Sequence, residues 1–120
     1  MAEYLIAFND DWVPDLTDED LHEAGRRVRA LRAEMDAAGV LIFTGGLDDA
    51  APVSHVDPSN GTPPLVTDGP FTETKEHLGG LAIVDVKDEA AARMWAQKIA
   101  VACGWPQEIR RFGQARTEAR

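Results

Sequence analysis

The chain has 120 residues and a formal net charge of −9, from 12 basic and 21 acidic side chains. Hydrophobic residues make up 44% and charged residues 28%, a globular balance that excludes a fibrous or wholly disordered chain. No apolar run reaches the roughly 18 residues of a membrane span, the start Met1-Ala2-Glu3-Tyr4 lacks a secretory pattern, and the single cysteine, Cys103, closes no internal disulfide.

These features point to a cytoplasmic protein with no membrane partner. Its acidity argues against direct nucleic-acid binding, which needs clustered Lys and Arg. The arginines at 26, 27, 29 and 32 form one such cluster, but acidic neighbours favour a solvated helix face.

Residues 3–9 read as a strand that is apolar on both faces. A helix then starts at Thr17, with Asp20 as the return partner of a capping box and Leu16 and Leu21 placed as a hydrophobic staple. Leu21, Ala24, Val28, Leu31, Met35 and Ala38 make one continuous stripe, and Gly39 ends the helix. Residues 40–44 form a second strand, with a bulge or close backbone approach expected at Gly45-Gly46.

Residues 53–56 and 65–67 are expected to pair as a hairpin turning at Asn60-Gly61. Residues 78–86 are a strand. Asp88 caps a second helix that buries Ala91, Met94, Trp95, Ile99 and Ala102 and stops at Gly104. Residues 108–112 are the last strand. Residues 1–113 are expected to form one domain, followed by a polar tail over 114–120.

The order predicts an α+β ferredoxin-like βαββαβ sandwich with an inserted hairpin. Helices cover only one face of such a sheet. Yet Leu5, Ala7, Leu41, Phe43, Ala82 and Val84 cannot all share that face with their neighbours. A second copy of the chain is the simplest cover, so a homodimer is expected.

Residues 67–80, TDGPFTETKEHLGG, are the least generic stretch. This run resembles the signature of the DGPF domain family, a branch of the YCII-related proteins. The rest of the chain follows the family in outline, including Gly45-Gly46-Leu47 and the glycine after the second helix. The resemblance implies a ferredoxin-like fold that pairs into a dimeric α/β barrel. It also implies a functional link to a sigma factor, since some DGPF proteins occur beside or fused to one. One YCII relative is a dehydrochlorinase of a chlorinated aromatic diol. YCII enzymes use a histidine on the first helix with an aspartate. Here His22 lies nearer the helix start and the matching turn carries Val28, so the resemblance does not carry that pair over.

Within the run, Asp68 has two readings. It can brace a turn before Gly69 and Pro70, or act as a general base in a poorly solvated cavity. Phe71 would anchor the loop. Glu73, Lys75 and His77 would share one side of an extended segment and Glu76 the other. Asp68, Glu73 and His77 are therefore the catalytic candidates, and Phe71, Lys75, Glu76 and Asp48 the ligand-binding candidates. No residue set has the spacing of a metal site, and no phosphate-binding glycine loop is present, so no cofactor is expected.

Two functions compete. One is a small-molecule-binding accessory or sensing module. The other is a cofactor-independent enzyme using carboxylate and histidine acid–base chemistry, of lyase or isomerase type, on a small aromatic or enolisable substrate.

Overall fold

The computed structural model describes residues 1–68 and 77–113. Strand β1 spans Ala2–Asn9, β2 Leu41–Gly46, β3 Ser54–Asp57, β4 Leu65–Asp68, β5 Leu78–Val86 and β6 Glu108–Arg111. Helix α1 spans Asp18–Ala37 and α2 Glu89–Cys103. Four strands form an antiparallel sheet in the order β2-β5-β1-β6, while β3 and β4 pair separately as the inserted hairpin. This is the ferredoxin-like α+β arrangement. The sheet is open, with β2 and β6 at its edges.

The helix boundaries follow from local chemistry. Thr17 Oγ1 accepts from the Asp20 N–H at 3.1 Å, and the Asp20 carboxylate accepts from the Thr17 N–H at 3.2 Å, closing the capping box. Asp88 caps α2 by accepting from the Ala91 N–H at 2.9 Å. Gly104, at φ 99°, ends α2 in a left-handed conformation that glycine adopts without a Cβ penalty.

Both helices lie on one sheet face. Tyr4, Ile6, Ala82, Val84 and Val86 pack there against Met35 of α1 and Ala92, Trp95 and Ala96 of α2. Alternation sends Leu5, Ala7 and Ile83 to the other face, with Phe43 opposite Ile83. Of the residues expected to need separate cover, Ala82 and Val84 are buried in the core and Leu41 packs against it, whereas Phe43 is 57% exposed.

The register irregularity of β2 falls at Ile42, not at the glycines. Gly45 and Gly46 instead lie inside the strand, opposite Leu81 and Gly80. The close approach is real: a side chain at Gly80 would meet the Gly45 carbonyl at 3.2 Å.

The arginines at 26, 27, 29 and 32 are all exposed, as a solvated helix face requires. Arg26 pairs with Glu23, and Arg27 Nε donates to the Ala102 carbonyl at 3.0 Å, tying α1 to the end of α2. Lys98 on α2 reaches Glu34 on α1 at 2.8 Å. Among the described residues no helix is long and apolar enough to cross a membrane.

Candidate functional site

The stripe of α1 is only partly covered. Ala24 and Met35 are buried, but Leu21 is 49% and Val28 39% exposed. Beneath them lies a cavity of about 320 Å³ between α1 and the sheet. Leu21, Val28 and Leu31 form its roof. Ile6 and Phe8 of β1 and Leu41 and Thr44 of β2 form its floor. Ile99 and Cys103 close the α2 side, and Trp105 and Gln107 close the end.

Several sequence choices shape this space. The Phe8 ring occupies the volume that side chains at 79 and 80 would need; a Cβ there would lie 2.5 and 2.8 Å from it. Gly79-Gly80 thus seat Phe8, which meets Trp105 edge-on at 5.3 Å and 64°. Trp105, Gln107 and Ile109 alternate along an extended segment. That period of two turns all three inward, while Pro106 and Glu108 are exposed.

The polar groups are few. Thr44 Oγ1 already donates to the Leu81 carbonyl at 3.1 Å. Trp105 Nε1 and Gln107 Nε2 are buried with no hydrogen-bond partner among the described residues. Leaving such a donor unpaired costs about 1–3 kcal/mol. Arg32 also lines the cavity and has no ion-pair partner among the described residues. Burial pushes the Cys103 thiol up, and the Arg27 guanidinium pulls more weakly the other way. The thiol is therefore a neutral wall group at neutral pH.

The residues singled out in the sequence lie elsewhere. Asp68 ends β4 opposite Ser54 and is exposed. Asp48 accepts from the Ala50 N–H at 2.9 Å in a local turn. His77 holds the start of β5 to the 3-10 turn over Asp10–Trp12: its carbonyl accepts from the Asp10 N–H at 2.7 Å, and Nδ1 lies 3.9 Å from Asp11 Oδ2. None of these three lines the cavity. Phe71, Glu73, Lys75 and Glu76 lie outside the described residues, as does the tail from 114 to 120.

Asp57, in the hairpin, accepts from both the N–H and the hydroxyl of Ser59, and these bonds hold its carboxyl below the usual range. Among the described residues no group of three His, Cys, Asp or Glu side chains is placed to hold a metal ion.

Sequence reasoning missed Gln107. The available signal was the alternation of Trp105, Gln107 and Ile109 after the helix-ending glycine. His22 is exposed on α1, whereas Val28 faces the cavity.

No curated protein matches the chain. Residues 9–104 match the YCII-related domain, and the chain belongs to that family.

Proposed function

We propose that this YCII-related protein binds a small molecule in the cavity beneath α1 and serves as an accessory or sensing module, in the form of a homodimer. The observation that carries this reading is the largely apolar cavity of about 320 Å³ held open between α1 and the sheet, walled by Phe8, Val28, Cys103 and Trp105. Val28 supports binding rather than turnover, because an inert side chain stands where the family resemblance puts a histidine. The sigma-factor link rests on the DGPF resemblance alone.

The outer sheet face supports the homodimer. Leu5, Ile83 and Phe43 present apolar surface there, and the buried Oδ1 of Asp85, on the same face, lacks a donor among the described residues. Sedimentation is expected to give twice the chain mass for the wild type and the single-chain mass for Phe43→Glu. A wild-type protein that sediments as a single chain at micromolar concentration would remove the dimer.

Filling the cavity tests the binding reading. Val28→Trp places a large ring in the open roof, at a site exposed enough to accept it without unfolding. Compounds that raise the melting temperature of the wild type should lose that effect in Val28→Trp. A thermal response that survives in the variant would move the site elsewhere.

A second reading, the acid–base enzyme, draws on the proximity of His77 to Asp11. It requires the bound compound to be recovered chemically changed, whereas a binding module returns it intact.

A further inference from the structure

We infer that the ligand of this cavity is a compact, uncharged aromatic compound that carries no hydroxyl, carboxyl or amino group into the space under α1. The inference rests on the cavity being the binding site and assigns the chemistry of what enters it.

The walls withhold polar partners. The lining side chains with a polar group are Arg32, Thr44, Cys103, Trp105 and Gln107. Thr44 has given its proton to the Leu81 carbonyl. Trp105 Nε1 and Gln107 Nε2 have essentially no accessible surface, so neither N–H meets the open space. Burial keeps the Cys103 thiol neutral, and a thiol is a weak donor. Arg32 is exposed on α1 and holds its charge in water at the rim. Among the described residues no acidic side chain lines the space. A charged group brought inside would lose its hydration and gain no counter-charge. A hydroxyl would lose its bonds to water and gain little in return.

The same walls offer contacts that suit a ring. Phe8 and Trp105 meet edge-on at 64° and form an aromatic corner. Met35 and Cys103 bring two sulfur atoms to the lining, and sulfur beside an aromatic ring is a favourable contact. A flexible aliphatic chain would forgo these contacts and lose more freedom on binding.

The room is also of the right kind. Interiors leave few voids larger than a water molecule, so about 320 Å³ is more than a packing defect. It stands at the small end of ligand pockets. Gly46 lines it at a φ outside the left-handed range, with nothing within 4 Å of where a Cβ would stand. Its missing side chain therefore leaves space instead of relieving a clash. Apolar cavities take in small aromatic hydrocarbons.

The test uses four probes substituted at one position of one ring system: methylnaphthalene, naphthol, naphthoate and naphthylmethylamine. Methyl and hydroxyl are similar in size, so the first pair separates hydrogen bonding from fit. Affinity is read by calorimetry, and occupancy by protection of Cys103, the only thiol and a cavity wall residue, from alkylation. Methylnaphthalene should bind about tenfold more tightly than naphthol and about a hundredfold more tightly than either ion, and it should slow labelling of Cys103. Val28→Asn sets one amide in the roof, at a site exposed enough to accept it. It should bring naphthol to within about twofold of methylnaphthalene. Naphthol or either ion binding the wild type as tightly as methylnaphthalene, with Cys103 protected, overturns the apolar class while leaving the cavity as the binding site. A preference for methylnaphthalene that Val28→Asn leaves unchanged puts the ring away from α1 and overturns the inference. Failure of every probe to protect Cys103 overturns the cavity reading, and the inference with it.

Discussion

Helices α1 and α2 occupy equivalent places in two β-α-β halves, yet they meet the sheet differently. In its 15 residues α2 buries Ala92, Trp95, Ala96 and Ala102. Its alanines let the helix lie close, and Trp95 fills what remains. In its 20 residues α1 buries only Ala24 and Met35. Leu21 and Val28, larger and branched, line an opening instead of a seam. One helix fastens the fold and the other leaves room, so the site lies under the loosely covered element. Arg27 to the Ala102 carbonyl and Glu34 to Lys98 hold α1 in place from the α2 side. The cavity can therefore stay open without α1 drifting from the body.

Paired truncations are the strongest way to break that contrast. Trp95→Ala removes an aromatic side chain that is only 7% exposed and also carries the Lys98 ammonium over its ring. It should cost about 3–5 kcal/mol in a denaturant melt. Leu21→Ala, at the half-exposed cavity roof, should cost under about 1 kcal/mol. Similar losses for both would mean that α1 is packed as firmly as α2.

Gly80→Val gives the next largest effect. Its side chain would collide with the Phe8 ring and crowd the Gly45 carbonyl, where the two strands pair. Overpacking of this kind costs about 1–3 kcal/mol. Because Phe8 meets Trp105, the damage should also reach the cavity: ligand response should fall further than the stability loss alone explains. A variant that is destabilised but binds normally would separate Phe8 from the site.

Much of this fold was legible because its signals are local. The capping box of Thr17 and Asp20, the Asp88 cap and the left-handed Gly104 each depend on neighbours a few residues away. The hairpin and the strand order followed from alternation and turn residues. The site was not legible in the same way. Its wall joins Phe8, Val28, Thr44, Cys103 and Gln107, which are distant in sequence, and a donor left unpaired becomes apparent only after packing. The glycines of Leu78-Gly79-Gly80 did mark something real. Their purpose was hidden because the ring they accommodate, Phe8, lies some seventy positions earlier. Asp68 drew attention through its turn-forming neighbours, and it sits at the exposed end of β4.

The smallest effect sharpens the contrast at its border, where Cys103 of α2 faces the cavity under α1. Burial raises the thiol pKa in the folded chain, and Arg27 opposes this only in part. The folded state therefore holds the proton more tightly than the unfolded state. Stability from the neutral thiol is fully present below the unfolded pKa, about 8.5, and is lost as pH rises through the higher folded value. Melts taken on the alkaline side should show the wild type losing stability with pH more steeply than Cys103→Ala. The comparison of slopes cancels every other group common to both proteins, and it is independent of any constant cost of the smaller side chain. Parallel slopes would mean that water reaches the thiol freely and that the α2 side of the cavity is as open as its roof. A steeper wild-type slope would place a dry wall opposite a wet one, the arrangement expected if α2 closes the site and α1 admits the ligand.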